Sequence, residues 1–300
     1  MAKSLPDYPF QSHFFEIAGF QYHYIDEGEG DPVLMVHGNP SWSYYYRHLV
    51  HQLKGTYRTV AVDHLGCGLS DKPNAKEYSF TLAQRVADLE AFVNHMNFDK
   101  PITLVLHDWG GMIGMALATR IPDKINKIVL LNTGAFRNPK QMKLPWQIAL
   151  VRNTPLGPFL VQGFNAFALG ATYTCVTKNP MSAEVRKAYV SPYNNWKNRL
   201  ATLKFVQNIP LQPHEPDYQF IVDVEAKLPL LKDKPIMIGW GEKDFVFDGP
   251  FLQKWQEIYP HAQVHRFPEH GHYILEDAAS DINPIIHRFL DQTPAAEAAC

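Results

Sequence analysis

Three cysteines in 300 residues, Cys67, Cys175 and Cys300, are too few and too scattered for a disulfide framework or a metal-binding spacing. Reduced thiols are expected. No run approaches about 18 consecutive apolar residues, so no helix is expected to span a membrane. Lysine and arginine (28) nearly balance aspartate and glutamate (30), and their scatter leaves no electrostatic footprint for nucleic acid. The opening Met1–Pro9 lacks an apolar core of the signal-peptide kind, so a cytoplasmic protein is expected. Repeats and low-complexity tracts are missing too, and the tail Pro294–Cys300 is expected to fray. What is plentiful is apolar side chain. A hydrophobic content of 46% at this length can bury a large core, as one α/β domain with an insertion rather than two unrelated domains.

Apolar, β-branched runs recur at regular intervals. Phe14–Ile17 and Tyr22–Asp26 predict an antiparallel pair at the start. Val33–His37, Thr59–Asp63, Ile102–His107, Ile128–Asn132, Pro235–Gly241 and Val264–Phe267 predict a mostly parallel series. Helical patterns fall between them, notably Leu82–Met96 and Phe251–Tyr259. Such alternation predicts a doubly wound sheet with its binding groups at the carboxyl ends of the strands. The rhythm stops after Asn132 and resumes at Pro235. The stretch between is rich in proline, asparagine and aromatics, with short helical patterns. It predicts a helical cap at 133–228, inserted into a core made of 1–132 and 229–300.

The serine motif G-x-S-x-G is also absent. In its place His107-Asp108-Trp109-Gly110-Gly111-Met112-Ile113 joins the run Ile102–Leu106 to the small-residue helix Gly114–Ala118. A strand, a tight small-residue turn and a helix make the nucleophile elbow of the α/β-hydrolase fold, here with Asp108 where serine is usual. A serine alkoxide suits attack on an acyl carbonyl. A carboxylate, ionised at pH 7, suits displacement at a tetrahedral carbon that bears a leaving group, and it leaves an alkyl ester. Asp108 alone would also make an ordinary helix N-cap. Two further segments weigh against that bland reading.

Val36-His37-Gly38-Asn39-Pro40 ends an apolar strand and turns sharply. In this fold the oxyanion hole is a pair of backbone N–H groups, here those of Trp109 and Asn39, each worth about 3–4 kcal/mol of barrier. The Asn39 amide and the Trp109 indole are donors as well, and together they would hold a departing anion. The second segment, Glu269–Asp277, follows the last strand. The fold places its histidine there, which makes His272 the expected base. Asp244, after the strand that ends at Gly241, is the expected acid that orients the imidazole. Asp248 is its competitor, and Asn132 cannot carry the charge. His270 and His272 lack further ligands at metal spacing, so neither a metal nor a cofactor is expected.

His37-Gly-Asn-Pro-Ser-Trp-Ser-Tyr44, His107-Asp-Trp-Gly-Gly111 and the Asp244/His272 pair resemble the haloalkane dehalogenase family of Asp-nucleophile α/β-hydrolases, over the whole chain except its tail. Within that family, Pro145–Ala149, Phe164–Phe167 and Ala188–Arg199 resemble the β-lactone decarboxylases of bacterial long-chain olefin biosynthesis. Tyr273 and Leu275 depart from the Phe and Gln that many dehalogenases carry after the histidine. The resemblance implies a cis-3,4-dialkyl-oxetan-2-one substrate with long alkyl chains, a cis-alkene and carbon dioxide as products, and assembly with a β-lactone synthetase.

The chemistry is coherent on its own terms. Asp108 attacking the sp3 carbon of the lactone would invert it and open the ring, freeing a carboxylate onto Asn39 and Trp109. Loss of carbon dioxide with departure of Asp108 then gives the alkene without water. Attack on the lactone carbonyl, through an anhydride, is a rival route that the sequence leaves open. Haloalkane hydrolysis is the alternative activity, with epoxide hydrolysis as a smaller branch that Asn39 argues against. A non-catalytic binding protein is the minor alternative. Trp42, Trp146, Phe164, Phe167, Tyr193 and Trp196 are candidate linings for alkyl chains, although aromatics in a small cap more often form its own core.

Overall fold

A computed structural model of the chain describes residues 5–139 and 143–292; Cys300 and the tail 294–300 lie outside the described residues. The apolar runs form one sheet of β1 (His13–Ile17), β2 (Phe20–Glu27), β3 (Pro32–Val36), β4 (Arg58–Val62), β5 (Ile102–Asp108), β6 (Ile125–Thr133), β7 (Ile236–Gly241) and β8 (Gln263–Phe267). Their order in space is β1-β2-β4-β3-β5-β6-β7-β8. β2 pairs antiparallel with both β1 and β4, and the remaining pairings are parallel. β3 and β5 are buried along their whole length. Helices cover both faces of such strands, which is why their sequences are unbroken apolar runs. β6 begins three residues earlier than its apolar run, at Ile125, which pairs with Ile102 across an irregular ladder. The polar Asn126 and Lys127 mask that start in the sequence.

The helices of seven residues or more, in chain order, are α1 (Arg47–Leu53), α2 (Leu82–Met96), α3 (Trp109–Ala118), α4 (Trp146–Asn153), α5 (Ala166–Thr174), α6 (Ala183–Val190), α7 (Leu200–Gln207), α8 (Tyr218–Lys227), α9 (Gly249–Ile258) and α10 (Ala279–Asp291). α2 shows how local signals set its ends. The Thr81 hydroxyl accepts the Gln84 N–H at 3.2 Å, and Asn97 closes the helix in the left-handed region at φ 42°. Its stripe of Val86, Leu89, Phe92 and Val93 is buried against the sheet, each such side chain worth roughly 1.5–3 kcal/mol.

Between β6 and β7 the described residues form helices α4 to α8 and no strand. α4 and α7 share a small cluster of Ile148, Val151, Val161, Leu203 and Val206. Other parts of the segment merge with the main layers. Ile221 and Val224 of α8 belong to the same buried cluster as Ile236 and Leu252, whereas Tyr189 and Tyr193 belong to that of Trp42, Tyr44 and Tyr273. Apolar burial therefore welds the segment onto the sheet. The chain leaves β3 toward β4 and leaves β5 toward β6, in opposite directions. The carboxyl ends of β3 and β5 thus flank a crevice at the switch point, where open α/β sheets bind their ligands.

Candidate active site

Asp108 is the last residue of β5 and sits at φ 52°, ψ −128°, a conformation that costs energy for any residue with a side chain. Although it flanks α3, its side chain makes no capping bond to that helix. Its Oδ1 instead accepts the backbone N–H of Asn39 at 2.6 Å, and the neighbouring Trp109 N–H adds a favourable pull on the carboxylate. Gly38 makes room for this approach, because a Cβ there would overlap Oδ1. Gly110 does the same for the elbow turn, where a Cβ would strike the Val36 carbonyl oxygen. The Asp108 carbonyl accepts from Thr133 Oγ1 at 2.5 Å. Burial pushes the Asp108 carboxyl upward, and the pull of His272 and the two N–H groups only partly offsets it.

Buried His272 spans the two acids. Its Nε2 lies 3.6 Å from Asp108 Oδ2, and its Nδ1 lies 2.7 Å from Asp244 Oδ2. Because Asp244 is an acceptor, the Nδ1–H donates, which aims Nε2 at Asp108. Burial pulls the imidazole down, but Asp244 and then Asp108 more than reverse this, and its pKa is raised. Asp244 is itself held by Asn132 Nδ2 at 2.9 Å and by the Val246 N–H at 2.7 Å. Asn132, at φ 39°, also exchanges bonds with both backbone groups of Gly241. It is a positioning residue for Asp244. His272 bonds Asp244, and its competitor Asp248 instead flanks the start of α9.

Two further histidines brace the site in neutral form. His107 donates Nε2–H to the His272 carbonyl at 2.9 Å, and its ring lies 4.6 Å from the His272 ring. His37 donates Nδ1–H to the Gly38 carbonyl at 2.6 Å and accepts the His64 N–H at Nε2. Burial lowers both, His37 to about 4, so neither competes for a proton. The loop they brace contains a cis Asn39–Pro40 peptide. Asn39 Nδ2 gives one hydrogen to the Thr202 carbonyl on α7 at 3.1 Å, which leaves its second for the crevice.

The loop that carries His272 is fastened to the segment above it. The Asp277 carboxylate accepts the N–H groups of Gly271, Thr177, Lys178 and Asn179 at 2.7–2.9 Å. Burial alone would raise the Asp277 carboxyl, and those donors hold it below the usual range. Arg47 pairs with Glu276, which also accepts the Tyr189 hydroxyl at 2.6 Å. The Tyr273 N–H bonds the Cys175 carbonyl at 2.7 Å.

Above Asp108 and His272 opens a cavity of about 630 Å³, walled chiefly by apolar side chains such as Met112, Ile148, Val206, Leu211, Phe247 and Phe251. Asn39 and Trp109 stand at its floor beside Asp108. Of the aromatics expected to line it, Trp146 and Phe167 do. Four do not. Trp42 is fully buried, donating to the Tyr189 carbonyl at 3.3 Å and stacking on Tyr44. Tyr193 is buried with its hydroxyl on the Ser41 carbonyl at 3.3 Å. These two find polar partners in the seam between sheet and segment, which fixes them as core. Phe164 and Trp196 face outward, 64% and 51% exposed. The sequence reading missed Phe247, whose ring stacks on His272 at 5.8 Å and 17°. A signal was present, since Phe245-Val246-Phe247 is an apolar run in a loop straight after Asp244. Among the described residues no cluster of side chains could hold a metal ion.

The sequence profile of the alpha/beta hydrolase fold family matches residues 31–279. A protein of Shewanella oneidensis named cis-3-alkyl-4-alkyloxetan-2-one decarboxylase is 53% identical over 285 residues, covering 95% of this chain and 90% of that protein. One of the same name from Xanthomonas campestris pv. campestris is 41% identical over 297 residues, covering 96% and 99%. Among solved structures, haloalkane dehalogenase DbeA from Bradyrhizobium elkani superposes with a TM-score of 0.85 at 22% identity, over 97% of this chain and all of that one. That last likeness is one of fold.

Proposed function

Because the chain belongs to the alpha/beta hydrolase fold family, we propose that it spends the family's elbow on a carbon–carbon lyase reaction, the decarboxylation of cis-3-alkyl-4-alkyloxetan-2-ones to cis-alkenes. The name carried by relatives 53% and 41% identical supports this substrate. The observation that carries the mechanism is the use made of the Asn39 backbone N–H beside Asp108. It binds an oxygen of the nucleophile itself. An enzyme attacking an acyl carbonyl needs that donor on the substrate oxygen. Held on Asp108, it suits an alkyl–Asp ester, and it favours attack on the tetrahedral ring carbon over attack on the lactone carbonyl.

The steps balance without a co-reactant. Asp108 Oδ2 displaces the ring oxygen from C4, breaking the C4–O bond with inversion, and the freed carboxylate takes the side-chain donors of Asn39 and Trp109. The C2–C3 bond then breaks, its electrons form the C3=C4 double bond, carbon dioxide leaves, and Asp108 departs as carboxylate. The two alkyl chains stay cis because the ester and the new carboxylate lie anti. His272 with its raised pKa is charged more readily than an ordinary histidine, and the imidazolium stabilises the departing carboxylate. Asp244 keeps that ring aimed. The segment 133–228 serves as the cap, with its apolar wall receiving the alkyl chains. Cytoplasmic olefin synthesis, with assembly beside a β-lactone synthetase, completes the reading.

The test is turnover of a synthetic cis-β-lactone in heavy-oxygen water. Equal amounts of cis-alkene and carbon dioxide are expected, with no label in the Asp108 peptide. A β-hydroxy acid together with label in Asp108 would replace the lyase with a hydrolase, because water attacking the alkyl ester enters the Asp108 carboxyl.

A further inference from the structure

Charge is distributed unevenly along this nearly neutral chain. Between residues 138 and 214 stand nine lysines and arginines and a single acidic residue, Glu184, while the remainder carries an excess of acids. Exposed apolar bulk concentrates on the same segment. Seven of the eleven large hydrophobic side chains exposed among the described residues belong to it, including Trp146, Leu156, Phe159, Phe164 and Trp196. Several form one patch. Phe159 and Phe164 meet edge to face at 5.0 Å, the Trp196 ring lies over Gly163 between them, and Leu156 precedes Phe159 by one turn. Arg199 fastens the platform by donating to the carbonyls of Tyr193, Gln162 and Gly163. Lys187 and Lys197 are exposed on the same segment. Trp146, 72% exposed, also lines the cavity, so apolar bulk reaches the cavity wall.

We propose that this outer face of the segment adsorbs to an anionic lipid surface. Exposed aromatic and aliphatic side chains interleaved with cations are the composition that settles into a bilayer interface, and the positive excess complements anionic headgroups. A second copy of the chain is the poorer occupant, because pairing this face with itself brings like charge against like. No helix among the described residues is long and apolar enough to cross a membrane, so the contact is peripheral. An apolar ligand held in the bilayer would then pass from lipid to cavity with little exposure to water.

Co-sedimentation with vesicles tests this independently of any reaction, using phosphatidylcholine alone or with about one third phosphatidylglycerol. Binding to the mixed vesicles is expected, about tenfold stronger than to phosphatidylcholine alone and weakened by high salt. Phe159→Ser with Phe164→Ser, and separately Lys187→Glu with Lys197→Glu, are each expected to weaken it about tenfold with unchanged thermal unfolding. All four side chains are exposed or edge the surface, so the fold does not depend on them. Failure to bind the mixed vesicles, or full binding by both double variants, would overturn the proposal. So would a dimer or a lipid-free protein complex that the same variants dissolve.

Discussion

The floor and the roof of the cavity are built by opposite means. On the floor, Asp108, His272 and Asp244 are each fixed by directional bonds, with Asn132, His107 and His37 bracing the groups that hold them. On the roof, Trp146, Ile148, Phe167 and Leu211 present apolar surface. Directional bonds fix atoms to a few tenths of an ångström, as reaction geometry requires. Apolar contact fixes only volume and shape. The floor should therefore be brittle and the roof tolerant.

The sharpest break is expected at Asp108. Asp108→Asn is nearly isosteric but far less nucleophilic, and alkene formation should fall by at least about a thousandfold with the circular dichroism spectrum unchanged. Retention of more than about 5% of turnover, with deamidation excluded, would move the chemistry off the elbow. Asp244→Asn comes next, costing on the order of a hundredfold or more by releasing the ring of His272. It should also lower the pKa of His272, since Asp244 is the chief influence raising it. Titration of the ring by NMR reads this directly, and an unmoved pKa would exclude Asp244 as the orienting acid.

Asp277 links floor and roof, so its loss tests whether the two halves are mechanically joined. Asp277→Asn should cost about 2–4 kcal/mol of stability at pH 7 by mismatching buried donors. The native carboxyl is held below its ordinary pKa. Its stabilisation is thus present above that ordinary value and is lost as pH falls through the native one. Denaturant curves of the two proteins should converge on acidification, and a gap independent of pH would mean that the charge is irrelevant. On the roof, Phe167→Ala should raise KM by roughly three- to tenfold and leave kcat nearly unchanged, with preference shifting toward longer chains. A fall in kcat of the same size would show the roof taking part in positioning. Phe164→Ala should leave kcat/KM for a short-chain lactone within about twofold, because its ring points away from the cavity.

The same division governs what could be read in advance. The strands were legible because central parallel strands must be apolar on both faces, and Asp108, Asn39 and Asp244 each stand just beyond such a run. The rotation of side chains between β6 and β7 was not. Whether Phe164 or Phe167 turns inward depends on how the turn Phe159–Gly163 and α5 seat against their neighbours, and no local pattern reports that. Nor did the sequence announce the Asp277 bonds, which join residues nearly a hundred positions apart. β6 hid its start because Asn126 and Lys127 interrupt the apolar run.

The backbone of Asp108 has a consequence for how this protein would change under selection. A left-handed φ of 52° favours glycine, and a buried carboxylate favours a neutral group. The residue is therefore a costly occupant of its own position. A lineage screened for heat tolerance alone would tend to discard it, keeping the sheet, the helices and the cavity while losing the nucleophile of the proposed reaction. Thermal resistance gained at this one codon would be a warning of lost activity, so libraries aimed at hardier variants need a catalytic filter at every round.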